Sequence, residues 1–308
     1  MKPPSLAPTK VPTRTPITPT PSYYMESKVV TGVSSSQWTD VVLSQNYLSP
    51  IAVCTVQYDT GKTLLPAVVR MQNVLNRSFQ IRIQNPSNQT LTGRTVHCVI
   101  VEEGAFSLPD GRKIEARKYK STVTDHANGW SGQAQTYLNR YTNPIVVGQV
   151  MTYSDTRWSV FYSRGSSTPA TPPNAQSLRC GKHLGEDKPI TRLAETVGCI
   201  VIERGHASYS GTEIEFGRTP VAVVGYVNAT YTTTFATPFA STPIVTVASQ
   251  VGTKGREGSW AVVSGNTSST FMGLSVDEDQ TFDSERSHPA EEVDYIALTS
   301  IGVIQLTT

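Results

Sequence analysis

Five histidines, four cysteines and one dense acidic stretch are the residues of this sequence that could do chemistry, and their spacing limits what that chemistry is. The histidines are His97, His126, His183, His206 and His288. None falls in an H-E-x-x-H zinc pattern, none accompanies a G-x-S-x-G nucleophile elbow, and no glycine-rich phosphate loop occurs. His97 precedes Cys98 in a strand-like run and is expected to face solvent or a cross-strand neighbour. The stretch Asp277-Glu278-Asp279, with Asp283 and Glu285, carries oxygens of the kind Ca²⁺ takes. It lacks the glycine and spacing of a calcium loop, so it reads as a solvated loop. No repeated carboxylate pair stands out for glycosidic cleavage. The expectation is a protein that is not an enzyme and takes no metal or cofactor.

Cysteines Cys54, Cys98, Cys180 and Cys199 allow three connectivities. Cys98 and Cys199 sit in matching contexts, so the economical pairing is Cys54–Cys98 and Cys180–Cys199; four buried, unlinked thiols are the competing reading. No C-x-x-C pair points to zinc. Four N-glycosylation sequons begin at Asn76, Asn88, Asn228 and Asn266. Each alone is weak in a Ser/Thr-rich chain. Together with paired cysteines they favour an extracellular or cell-surface location.

The aromatic residues divide by position. Trp38 and Trp130 open equivalent segments and read as core. Trp158 and Trp260 are also equivalent, with Pro66 in the first corresponding place. Filling a core or a contact between segments suits them, and so does stacking on a sugar ring.

Internal repetition supplies the elements that must position these side chains. Ser49-Pro50-Ile51, Asn143-Pro144-Ile145 and Thr242-Pro243-Ile244 recur at spacings of 94 and 99 residues. Pro66-Ala-Val-Val69, Trp158-Ser-Val-Phe161 and Trp260-Ala-Val-Val263 follow in turn. Val96-His-Cys-Val-Ile-Val-Glu102 is matched by Val197-Gly-Cys-Ile-Val-Ile-Glu203, and then by Val293-Asp-Tyr-Ile-Ala-Leu298. A last marker, Ile114-Glu115-Ala116 and Ile214-Glu215-Phe216, occurs twice. These landmarks divide the chain into residues 1–25, an extended Pro/Thr-rich arm, and three copies over 26–118, 119–217 and 218–308. Short β-branched and aromatic runs bounded by Gly, Pro, Asn and Ser predict an all-β protein. Each copy is expected to form a small antiparallel β-sandwich of about six strands.

The closing strand of each copy carries a resemblance. His288-Pro-Ala-Glu291-Glu-Val293-Asp-Tyr295-Ile-Ala297, Ala194-Glu195-Thr-Val197-Gly-Cys199-Ile-Val-Ile-Glu203 and the corresponding strand of the first copy resemble those of H-type lectin domains. The resemblance covers nearly all of 28–308 in three passes. It implies a six-stranded antiparallel sandwich that associates as trimers. In sugar-binding members it implies a saccharide near the subunit interface, held by aromatic, His and Arg side chains. Three fused copies would then close into an intramolecular pseudo-trimer.

Composition removes other classes. The net charge is +2 and charged residues make up 16% of the 308, against about 25% in an average domain. No basic excess exists to neutralise a phosphate backbone, so nucleic acid is not an expected partner. No apolar run reaches the ~18 residues of a membrane span. Residues 1–22 hold seven of the 20 prolines, interleaved with threonine, and favour extended polyproline II. They show no apolar core of a signal peptide, which implies either prior removal of one or a start within a longer chain. The arm reads as a linker or as a segment docking on a neighbouring subunit, with Tyr23 and Tyr24 as anchors at its junction. The function expected is a structural or adhesive glycoprotein of a surface assembly or filament, partnered by copies of itself. The alternative is a lectin-like protein that binds glycans and gains avidity from three copies.

Overall fold

The computed structural model describes residues 1, 22–59, 64–127, 129–165 and 168–308, so the arm over 2–21 lies outside the described residues. The described chain is all β, and its strands fall into three successive runs of seven. The first is β1 (Tyr23–Val33), β2 (Thr39–Val42), β3 (Pro50–Gln57), β4 (Val68–Leu75), β5 (Ser78–Gln84), β6 (Arg94–Glu102) and β7 (Gly104–Ser107). The second is β8 (Lys113–Ser121), β9 (Gln133–Gln135), β10 (Pro144–Val150), β11 (Val160–Arg164), β12 (Leu178–His183), β13 (Glu195–Glu203) and β14 (Gly205–Tyr209). The third is β15 (Thr212–Arg218), β16 (Tyr231–Thr234), β17 (Val245–Val251), β18 (Trp260–Thr267), β19 (Phe271–Asp277), β20 (Glu292–Leu298) and β21 (Gly302–Leu306).

The repeated Pro-Ile runs become β3 and β10 and lead into β17, and all three strands are buried along nearly their whole length. Each pairs antiparallel with the matching closing strand, β6, β13 or β20. Cys98, Cys199 and Tyr295 stand at one register position, opposite Cys54, Gly148 and Ala248. The inner edges of β3, β10 and β17 meet in the interior. There the amide of Cys54 donates to Gln149 Oε1 (3.3 Å), that of Gly148 to Ser249 Oγ (3.1 Å) and that of Ala248 to Thr55 Oγ1 (2.9 Å). Thr55, Gln149 and Ser249 are the residues directly after those three donors, so the bonds form a closed cycle. A buried strand edge without partners would cost about 1–3 kcal/mol for each orphaned amide.

Sheets do not stop where the sequence copies do. Four sheets form, two of seven strands and one each of four and three. A parallel bridge between Val263 and Gln57 joins β18 to β3, and one between Ser163 and Val251 joins β11 to β17. At the third junction, between β4 and β10, Gln149 Nε2 donates to Val69 O instead (3.1 Å). Each run has seven strands by this division, while the segment 218–308 holds six, β16 to β21. Pairing between the named strands is antiparallel except at these two bridges; isolated parallel bridges also join Asp125 to His183 and Gly225 to Val276.

The hairpins hand the chain from one sheet to the next. β7 returns through a turn containing Gly111 (φ +83°) and pairs with β8, and β8 then pairs with β13. β14 turns at Gly211 (φ +85°) and pairs with β15, which pairs with β20. The third equivalent hairpin has no turn: β21 pairs with β1, from Tyr23↔Leu306 to Ser27↔Gly302, and β1 pairs with β6. Met25-Glu26-Ser27 therefore holds the place of Ile114-Glu115-Ala116 and Ile214-Glu215-Phe216. All three glutamates are buried and accept loop amides: Glu26 from Ser44 (2.8 Å), Glu115 from Leu138 and Asn139 (both 2.7 Å), and Glu215 from Ala236 (2.9 Å).

Cys54 and Cys98 form a disulfide across β3 and β6. Cys180 and Cys199 are free thiols, both fully buried, where a second bridge was expected. The residue matching Cys54 is Gly148, where even a Cβ would come within 2.4 Å of the Phe161 ring, so Cys199 has no cross-strand partner. Burial first, and then the neighbouring Cys199 thiol, push the Cys180 pKa well above the usual thiol value.

The glutamate brackets should be visible in stability. Glu215→Ala orphans the Ala236 amide and the Tyr295 hydroxyl, which donates to Glu215 Oε1 at 2.6 Å. A loss of ~2–4 kcal/mol is expected in urea unfolding, with Glu215→Gln costing about half as much. A change within measurement error for Glu215→Ala would show that the bracket contributes nothing.

Candidate functional site

Two residues expected to mark a sugar or interface contact meet where loops from all three runs gather at one end of the molecule. Trp260 opens β18 and donates its indole N–H to Ala67 O (3.0 Å). Trp158 lies just before β11 and packs on Trp260 with ring centroids 5.7 Å apart. Both are buried, Trp158 the more deeply. Trp158 also lines a depression of about 380 Å³ with Ser87 and Asn88 from the first run, Arg157 and Asp187 from the second, and Gln280 and Thr281 from the third. Its indole nitrogen is buried and meets no acceptor among the described residues.

Trp38 and Trp130 are half-buried and bridge runs, unlike the core residues expected. Trp38 packs edge-on against Tyr153 (5.1 Å), with the Arg82 guanidinium 5.0 Å from its ring. Trp130 packs against Tyr162 and His183 and donates to Arg256 O (3.2 Å). A bulky ring early in the first and second runs closes the contact with the next run, a role that sequence periodicity does not separate from core filling.

His288, the third candidate, lies beside this end but takes no part in the depression. It is buried between two carboxylates, with Nδ1 bonded to Glu278 and Nε2 to Glu291 Oε1 (3.1 Å). Burial alone would lower its pKa; the hydrogen bonds and charges of Glu278 and Glu291 outweigh that and raise it to about 9. Glu291 in turn receives the amides of Lys254 and Gly255 (both 2.8 Å). Its counterpart Glu195 receives those of Ser154 and Asp155 (both 3.0 Å).

The acidic stretch corrects its sequence reading. Asp277, Glu278 and Asp279 are buried, and each has a partner. Asp277 forms a bidentate pair with Arg286 (2.9 Å twice) and accepts from the Tyr58 hydroxyl. Asp279 accepts the Glu186 amide (3.0 Å). The partners come from residues as far back as Tyr58, which local composition does not reveal. Glu186 sits among Glu257, Asp283, Asp279 and Glu278; burial first, and then these charges, raise its carboxyl pKa to about 7. Glu257, Glu278 and Glu285 bring one oxygen each within 4.8 Å of one another. Three oxygens are half of the six or more that Ca²⁺ takes, and Glu278 is already held by His288.

His97 is likewise not at the surface. It is buried and accepts the Thr246 amide at Nδ1 (3.0 Å) from another run, and burial lowers its pKa to about 4. His183 is the neutral Nε2–H tautomer by its contacts: Nε2 donates to Ser259 O (3.0 Å) and Nδ1 accepts the Gly185 amide (3.2 Å). Burial lowers its pKa to about 3.

The remaining candidates are at the surface. Asn76, Asn88, Asn228 and Asn266 are exposed. Asn228 shares its amide with Ser287 Oγ (2.7 Å) and the His288 amide (3.2 Å). Tyr23 and Tyr24 are half-buried at the start of β1, packed on Phe106 (4.8 Å) and Tyr47 (6.4 Å). What sequence reasoning missed here is Arg70, wholly buried. It donates to Gln84 Oε1 (3.0 Å) within its own run and to Asp155 O (3.0 Å) in the next. Its only sequence signal is a charge inside an apolar β run.

No known family, curated protein or solved structure matches this chain. The reading of the site therefore rests on its geometry. The loop end can hold a small polar ligand in the depression. Around it, buried histidines and carboxylates are paired structurally.

The His288 cluster sets a pH dependence. With its folded pKa raised from 6.5 to about 9, its stabilisation is complete below pH 6.5 and is lost as pH rises through 9. Thermal unfolding should show ~2–3 kcal/mol less stability at pH 9.5 than at pH 6.5. His288→Gln should be destabilised at pH 6.5 and should flatten that slope. An unchanged slope would assign the pH dependence to other groups.

Proposed function

We propose that this protein is a non-enzymatic extracellular structural or adhesive glycoprotein. It serves as a subunit of a surface assembly or filament, and its N-terminal arm contacts a neighbouring subunit. In this reading the three runs of seven strands are three fused β-sandwich copies closed into a pseudo-trimer, and its partners are copies of itself.

The observation that carries the reading is the seam between β1 and β21. The first strand completes the last copy's hairpin and enters the first copy's sheet, so the arm leaves at Tyr23 directly beside Leu306. β21 is the outermost strand of its sheet and presents a backbone edge, although Thr307, the residue after Leu306, already exchanges backbone hydrogen bonds with Ser107 of β7 (2.7 and 2.9 Å). Extended segments that add to such an edge are a known means of joining subunits, and a head-to-tail contact that does not close yields a filament. Four exposed sequon asparagines and one disulfide fit an extracellular setting. Among the described residues no helix is long and apolar enough to cross a membrane.

A carbohydrate-binding role is the second reading, favoured by the depression that Trp158 shares with polar residues of all three runs. It predicts glycan-array signals that disappear in a Trp158 variant which still folds.

Deleting residues 1–21 tests the first reading. The cut must stop there, because Met25 is buried in β1. The truncated chain should keep its melting temperature while losing self-assembly in light scattering and negative-stain images. Retained assembly would exclude the arm as the connector. Small-angle X-ray scattering of the truncated chain should give a radius of gyration near the ~19–20 Å of a compact domain of this length; an elongated particle would exclude the pseudo-trimer.

A further inference from the structure

The loop-end depression contains a feature that neither assembly nor capture of external sugars uses. Asn88, one of its lining residues, is the acceptor of a sequon completed by Thr90. Asn88, Gln89 and Thr90 are all exposed. Asn88 adopts the left-handed conformation at φ +59°, which asparagine tolerates better than most residues. The turn behind it is fixed, with Asn85 Oδ1 accepting the amides of Ser87 (3.0 Å) and Gln89 (3.1 Å), and Asn85 Nδ2 donating to Pro66 O (2.9 Å). The acceptor is thus both reachable and held at the rim.

The wall beside it has the make-up of a sugar subsite. Trp158 contributes an apolar ring and an indole N–H that is buried without an acceptor, a state costing about 1–3 kcal/mol if left so. Its equivalent, Trp260, has its N–H satisfied by Ala67 O, so the deficit belongs to Trp158 alone of the pair. Asp187 supplies a carboxylate and Arg157 a guanidinium, each anchored by a partner: Arg192 at 2.6 Å and Asp155 at 2.7 Å. At about 380 Å³ the depression is at the lower end of the ~300–1,000 Å³ typical of small-ligand clefts.

We propose that Asn88 is N-glycosylated and that the first sugars of its own glycan occupy this depression as a built-in plug between the three runs. The attachment is an ordinary transfer from a lipid-diphosphate-linked oligosaccharide. The Asn88 amide nitrogen bonds to the anomeric carbon, the carbon–oxygen bond to the diphosphate breaks, the lipid diphosphate departs with the electron pair, and the amide proton passes to a base. The linked N-acetylhexosamine carries an acetamide carbonyl, the acceptor that the Trp158 N–H lacks, and hydroxyls suited to Asp187 and Arg157. The proposal rests on the extracellular reading, because that transfer takes place on secreted chains.

The test is expression of the full chain in a glycosylating eukaryotic host, followed by glycopeptide mass spectrometry at the four sequons. An endoglycosidase time course on the native protein comes next. Asn88 should be occupied, and its glycan should be released at least about tenfold more slowly than the one on Asn76, which sits on the exposed β4–β5 turn. The difference should vanish after denaturation. Thr281→Trp, at an exposed rim position, fills the depression and should bring the Asn88 rate to that of Asn76 with the fold intact by circular dichroism. An unmodified Asn88 beside a modified Asn76 overturns the proposal, as do equal native release rates. If none of the four sequons is modified, the extracellular reading falls with it.

Discussion

Three amides at the centre of the molecule set the terms for everything around them. Cys54, Gly148 and Ala248 lie on strand edges that face one another in the interior, around a cavity of about 40 Å³. Each donates to a side chain on the next strand, and the acceptors need only be polar and short enough to reach: a threonine, a glutamine and a serine. That requirement fixes the strands' mutual register and explains polar residues in otherwise apolar runs. It also makes the three runs interdependent, because each supplies an acceptor to one neighbour and takes one from the other. Buried hydrogen bonds of this kind matter less for their net strength than for the cost of breaking the cycle.

A second set of brackets extends the same logic outward. Glu26, Glu115 and Glu215 each fold a buried carboxylate back onto loop amides, and Glu195 and Glu291 do so at the opposite end of the closing strands. A turn-rich β protein with few charged residues spends several of them inside. The low charge fraction is therefore only partly a property of the surface.

What the sequence disclosed and what it hid separate along one line. Features that repeat within the chain were readable: the three Pro-Ile runs, the matching closing strands, and the Cys54–Cys98 pair on two of them. Features that depend on contact between runs were not. His97 was expected to face solvent or a cross-strand neighbour, because its actual partner, the Thr246 amide, is 149 positions away. The acidic stretch looked solvated because Tyr58 and Arg286 complete it from either side in the chain. Ile114-Glu115-Ala116 looked like the end of one copy, although β8 belongs to the next sheet; that also hid Met25-Glu26-Ser27 as the third instance. Cys180 and Cys199 are free thiols, and Gly148, closed over by Phe161, stands where the first run has the cysteine that completes its bridge.

The missing turn between β21 and β1 has a mechanical meaning. In the two covalent hairpins, a pull on the flanking chain loads the rungs at the open end, and the turn still joins the strands once those rungs part. At the seam, chain segments before Tyr23 and after Leu306 depart from the same end of one antiparallel pair. Tension applied across those two points first breaks the Thr307–Ser107 backbone pair and then pulls the strands apart one rung at a time, from Tyr23–Leu306 to Ser27–Gly302, instead of shearing all the rungs at once. A string of such subunits linked through these ends would yield by unzipping a five-residue fastener and could refasten it, with the disulfide-bonded and axially bonded interior left intact.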